Sequence, residues 1–197
     1  MRTDKRVRYT KMFLKESLIK LMKEKPISRI TIKELCEEAE INRATFYAHY
    51  RDQYDLLEQT EQELCDNVNR CIDSLAENPN ENRLRQVTFE IIKIIDANID
   101  CVRVLWGKNG DMKFQENMSQ IFREQFINLL PKSIKGTEFE NEFIYIYTIH
   151  GCIGIIRKWI FEAYDKISPE ELTDMVLRIT NANALINISC SRRDSSP

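Results

Sequence analysis

The chain has 197 residues, with 29 Lys/Arg against 31 Asp/Glu for a formal net charge of -2, and only five Gly and five Pro. That length supports a substantial core in one or two domains, and the longest apolar runs are far too short to cross a membrane. The six cysteines (36, 65, 71, 101, 152 and 190) form no CxxC pair, and with only His49 and His150 beside them they argue against a zinc framework. The N-terminus is charged where a secretory signal would be apolar, so a soluble, cytoplasmic chain with reduced thiols is expected.

Economy with glycine and a near absence of alternating apolar residues predict an all-α protein of about nine helices. The first spans 7–24, with Met12, Phe13, Leu14, Leu18, Ile19 and Met22 at helical spacing and Pro26 just beyond its end. It follows a basic arm of Lys5, Arg6 and Arg8. Thr31 is a good N-cap, and Glu34 three residues on completes a capping box for a helix over 32–39. A tight turn falls near Glu40-Ile41, and Asn42 caps a short helix running to about His49. Phe46 and Tyr50, one turn apart, can pack inward. Arg43 and Tyr47 share a second face, Thr45 and His49 a third.

A long helix is predicted over 53–76, carrying Leu56, Leu57, Leu64, Val68 and Ile72, with no Gly or Pro before its stop at Asn78-Pro79-Asn80. Shorter helices follow over 82–97 and 99–106, the latter ended by the Gly107–Gly110 break. Residues 112–130 form the next, and Pro131 to Thr137 a loop. The last two helices, 138–164 and 169–188, are divided at Ser168-Pro169, where Ser caps and Pro takes the first helical position. The Ser/Arg-rich tail from Ser189 to Pro197 is expected to be flexible.

Charge divides the chain. Residues 1–51 hold 13 Lys/Arg and 7 Asp/Glu, a balance of +6, and residues 52–197 hold 16 and 24, a balance of -8. A basic head on an acidic body suits a DNA-binding segment joined to a domain with another task. The short helix after Asn42 offers an Arg to guanine edges and Tyr, His and Thr to phosphates. Thr31, Asn42, Arg43, Ala44, Thr45, Tyr47 and His49 are the candidate DNA-contacting residues. Arg43 is the best candidate for base readout. No Gly-rich phosphate loop, nucleophile elbow, HExxH or paired carboxylate–histidine set points to an enzyme.

These residues carry a family likeness. The run Thr31-Ile32-x-x-Leu35-Cys36-x-x-Ala39, followed by Ile41-Asn42-Arg43-Ala44-Thr45-Phe46-Tyr47-x-His49-Tyr50, resembles the tetracycline-repressor-like (TetR) transcription regulators over roughly residues 7 to 57. Two positions depart from the family pattern: Glu40 stands where a Gly is usual in the turn, and Gln53 where a phosphate-binding Lys opens the fourth helix. Arg51 could replace that contact. The resemblance implies a three-helix DNA-binding head over 1–52 and a six-helix ligand-binding and dimerisation body over 53–188. It implies a homodimer on a palindromic operator, acting as a repressor released by an effector, with no cofactor or metal. An adaptor of the same fold, acting through a protein partner and binding DNA weakly, is the alternative that Glu40 and Gln53 keep open.

Residues 143–161 are apolar almost all round, which requires burial on more than one side. Gly151 and Gly154 interrupt the run at about 1 kcal/mol each relative to Ala, as where another helix backbone comes close. The resemblance identifies that neighbour as the last two helices of a second subunit, with Gly151, Gly154, Ile155 and Trp159 in the seam. For a small apolar or aromatic effector in the body, Phe89, Trp106, Met118, Phe122, Tyr147 and His150 are residues of the right kind.

Overall fold

The computed structural model of the chain describes residues 2–76, 83–110, 112–129 and 137–191. Among the described residues there are nine α-helices and no strand: α1 (Arg2–Glu24), α2 (Ile32–Glu38), α3 (Arg43–Tyr47), α4 (Gln53–Ala76), α5 (Arg83–Ala97), α6 (Ile99–Leu105), α7 (Met112–Leu129), α8 (Glu138–Lys158) and α9 (Pro169–Ser191). A 3₁₀ turn at Ile27–Arg29 and a π-helical turn at Trp159–Ala163 complete the helical set. The predicted breaks at 77–82 and 131–136 lie outside the described residues.

Several ends differ from expectation. Helix α1 begins at Arg2 rather than residue 7, because residues 2–6 carry no apolar side chain for periodicity to register, while Arg and Lys are good helix formers. Helix α3 stops at Tyr47, leaving Ala48 and His49 in a turn where His49 N–H donates to Phe46 O at 2.9 Å. The helix predicted over 138–164 is α-helical to Lys158 and then widens into the π turn. Helix α9 continues to Ser191, past the predicted start of the tail, and residues 192–197 lie outside the described residues.

The chain forms two compact units. The first comprises 1–67 and 98–115. Here α1 packs on α2 and α6, and α2 on α3. Its core is Leu14, Leu18, Met22, Leu35, Phe46 and Leu56, each at most 1% exposed. Asn109 Nδ2 donates to Met22 O at 3.0 Å, which fixes the loop after α6 against α1. Gly110 lets that loop close, since a Cβ there would sit 1.9 Å from Leu105 O.

The second unit comprises 68–97 and 116–197, and α5 and α8 both pack on α9. Thr137 and Glu140 form a capping box at the start of α8. Ser168 and Glu171 do the same for α9, with Glu171 N–H donating to Ser168 Oγ at 3.2 Å and Ser168 N–H to Glu171 Oε2 at 2.8 Å. Trp159 is 2% exposed, its indole Nε1–H donates to Ile167 O at 2.7 Å, and its ring lies 5.2 Å from that of Tyr164. Among the described residues Cys36, Cys65, Cys71, Cys101 and Cys152 form no disulfide. Burial raises Cys65 and Cys101 to about 11, so both stay protonated and behave as core residues.

Candidate nucleic-acid interface

Two capped helices and the turn between them build the site. Thr31 Oγ1 accepts from Glu34 N–H at 3.2 Å and donates to Glu34 Oε2 at 2.8 Å, while Thr31 N–H reaches the same carboxylate at 2.9 Å. Lys25 bonds the other oxygen. The Lys25 bond first, and the two Thr31 bonds after it, hold the Glu34 carboxyl down at about 2. Helix α2 therefore begins on a satisfied, charge-assisted cap.

The turn after α2 closes by two backbone bonds, Glu40 N–H to Glu37 O at 3.3 Å and Ile41 N–H to Cys36 O at 3.0 Å. This is a Schellman motif, which demands a left-handed residue at the position after the C-cap. Glu40 supplies it with φ 54°, the one positive φ outside glycine among the described residues. The family's usual Gly is thus replaced without loss of the turn, at a conformational cost of about 1–2 kcal/mol for a residue with a Cβ.

Asn42 Oδ1 then caps α3, accepting from Thr45 N–H at 2.8 Å and Thr45 Oγ1 at 3.0 Å. Phe46 is wholly buried, with Tyr50 beside it at 5.8 Å between ring centroids. Burial first, then the Glu63 and Asp55 carboxylates, push the Tyr50 phenol up to about 12, so it stays neutral. With that face anchored, Arg43, Ala44 and Tyr47 are exposed, Tyr47 to 56%, and His49 is half-buried. The Thr31 and Thr45 hydroxyls both bond within the chain, to the Glu34 carboxylate and to Asn42 Oδ1. Asn42 keeps its amide N–H₂ group for an outside acceptor.

Asp52 caps α4, accepting from the Tyr54 and Asp55 N–H groups at 2.9 Å each. Asp55 in turn accepts from Arg51 N–H at 2.8 Å, and its carboxylate lies 3.5 Å from Arg51 Nε. Gln53, at the first position of α4, is half-buried. Arg51 is 81% exposed while paired, so it can reach an external anion by giving up a weak surface ion pair.

Residues 16–60 match the family described as bacterial regulatory proteins, tetR family, and residues 81–182, just over half of the chain, match the transcriptional regulator C-terminal region. The chain belongs to the TetR family. Its members are transcriptional regulators rather than enzymes. The uncharacterized HTH-type transcriptional regulator YxbF of Bacillus subtilis (strain 168) is 22% identical over 171 residues, which is 85% of this chain and 44% of that protein. The chain therefore spans less than half the length of this curated relative. Among solved structures, a TetR transcriptional regulator from Streptococcus agalactiae 2603V is 19% identical at a TM-score of 0.59, over 91% of this chain and 98% of that one. A transcriptional regulator from Pseudomonas aeruginosa PAO1 reaches a TM-score of 0.68 at 15% identity, over 93% of this chain and 92% of that one. These likenesses establish the fold.

In this TetR-family chain the second unit holds a half-open apolar cavity of about 120 Å³. Its walls include Ile72 of α4, Ile92 of α5, Phe122 of α7, Ile149 and Ile153 of α8, and Val176 of α9. Of the six predicted effector residues, only Phe122 lines it. Trp106 and Met118 are buried elsewhere, Trp106 in the first unit. Phe89 is half-buried under the Lys93 ammonium, and Tyr147 and His150 are exposed. The cavity walls are mostly aliphatic side chains that sequence cannot distinguish from ordinary core.

The seam residues also separate. Gly151 and Gly154 are exposed, and a Cβ on either would meet nothing within 4 Å. Ile155 is half-buried, and Trp159 is buried inside its own chain. Phe139 and Phe143, which the sequence reading did not single out, are 75% and 69% exposed on the same α8 stripe as Tyr147 and Gly154. Their spacing of i, i+4, i+8 and i+15 was the available signal. Among the described residues no helix is long and apolar enough to cross a membrane.

Proposed function

We propose that this chain is a TetR-family repressor that binds a palindromic operator as a homodimer and is released when a small apolar effector enters its body. The observation that carries the DNA reading is the exposed face of Arg43, Ala44 and Tyr47 on a helix held by a buried Phe46 and an Asn42 cap. Arg43 reads a base edge, with Ala44 and the Thr45 methyl beside a thymine methyl. Tyr47, His49 and the Asn42 amide fix register on phosphates, and Thr31 holds α2 in place. The head is assigned to 1–52 and the body to 53–188.

The exposed apolar stripe of α8 supports the dimer. Phe139, Phe143, Tyr147 and the two open glycines are exposed along α8, as a surface for a second copy would be. Two heads would then engage half-sites about one helical turn of DNA apart. The adaptor reading is favoured by Gln53 in place of Lys.

A footprint on genomic fragments selected by gel shift separates the two readings. A repressor protects a near-palindromic site, with affinity falling steeply as salt rises. Protection that appears only when a second protein is added would establish the adaptor instead.

A further inference from the structure

We propose that the molecule received by the body is uncharged and apolar, about the size of one six-membered ring, and seated in the cavity between α4, α5, α7, α8 and α9. This rests on the effector reading above and narrows it to a chemical class. Three observations carry the assignment. The volume, about 120 Å³, is close to that of apolar protein cavities of about 150 Å³ that stay dry and take up benzene. Among the described residues no Asp, Glu, Lys, Arg or His lines the cavity, so none of them compensates a ligand charge. Two of its polar side chains are already satisfied: Thr88 Oγ1 donates to Leu84 O and Thr180 Oγ1 to Val176 O, each at 2.8 Å.

The other polar side chains of the wall are Thr148 and Cys152. Cys152 Sγ lies 4.0 Å from Thr180 Oγ1, and burial raises its pKa, so the thiol is neutral there. A carboxylate or ammonium would leave water for a wall with no counter-charge, which makes its entry far costlier than that of a hydrocarbon of equal size. The cavity therefore selects by charge and volume. A ring or short alkyl chain fits, and a charged head must remain outside.

The test is titration of the 197-residue chain with toluene, and with benzoate and benzylamine as charged counterparts of similar size, followed by calorimetry and ligand-observed NMR. Toluene is expected to saturate one site per chain, with the charged pair weaker by roughly 100-fold or more. Ile153→Phe fills the cavity from a half-buried position and should abolish toluene saturation while the thermal transition is kept. If that variant loses its transition, Leu177→Phe replaces it. Benzoate binding as tightly as toluene, no saturable toluene binding, or undiminished binding in a folded filled variant each overturns the proposal. Operator titration separates the two readings. Toluene that binds and leaves operator affinity unchanged keeps the ligand class and overturns release. A charged compound that releases operator without competing with toluene keeps release and overturns the ligand class.

Discussion

Arg43 stands exposed immediately after the Asn42 cap, so its backbone is fixed while its side chain remains available. Arg43→Ala is expected to cost roughly 1–3 kcal/mol of operator binding and to relax selection at one or two base positions, as read by affinity on a randomised site library. Tyr47→Phe should weaken all sequences more evenly, because a phosphate contact carries no base information. An Arg43→Ala protein with the wild-type motif and affinity would remove Arg43 from readout. Glu40 makes a different case. It occupies left-handed backbone, and Glu40→Gly should raise unfolding free energy by about 1 kcal/mol in urea titration. A destabilised variant would show that the Glu40 side chain contributes more than its backbone costs. Glu34 sets an acid limit on the same head. Its folded pKa of about 2 lies below its ordinary 4.5, so its contribution is complete above pH 4.5 and is lost as pH falls through about 2. Glu34→Gln should flatten that part of the curve of melting temperature against pH, and an unchanged slope would exclude the cap as its source.

Helix α8 shows how an element can be apolar all round and still have two distinct faces. One face is internal, where Ile149 and Ile156 are buried, and the other is the stripe from Phe139 to Gly154. Because a Cβ at Gly154 meets nothing within 4 Å, Gly154→Glu has room inside its own chain. The variant should fold with a normal thermal transition yet show half the wild-type mass by light scattering, since the charge falls in the proposed seam. A folded dimer would move the interface elsewhere. The capped starts of α2, α3, α8 and α9 follow the opposite logic. Each is set within four residues by a Thr, Asn or Ser that bonds its own helix.

At the scale of the molecule, α4 is shared between the two compact units, with residues up to Asn67 in one and those from Val68 in the other. It carries Ile72 in the cavity wall, so an occupant of the cavity touches the helix that leads to the head. Release requires that occupant to prefer one arrangement of α4, since equal affinity for both shifts nothing. Inserting two glycines beside Asn69 should leave operator binding measurable but abolish its response to effector, a coupling of about 1–3 kcal/mol in the intact chain. Retention of the full response would mean that α4 does not carry the signal.

Helix number, the caps and the inward Phe46–Tyr50 pair were legible in the sequence because each depends on residues a few positions apart. The motif over 31–50 was legible for the same reason: its side chains are held by one another. The left-handed conformation of Glu40 was hidden, since Glu in a turn does not by itself announce a Schellman closure. In the body the limit was sharper. A segment apolar on every side has no preferred face, so periodicity could not tell that Trp159 turns inward while Gly151 and Gly154 remain open. Nor could it tell that Trp106 belongs to the unit of the head and Phe122 to the cavity. Local chemistry determined the capped starts of α2, α3, α8 and α9, whereas the packing of α5, α7, α8 and α9 decided which aliphatic residues line the cavity, because a cavity depends on residues distant in the chain.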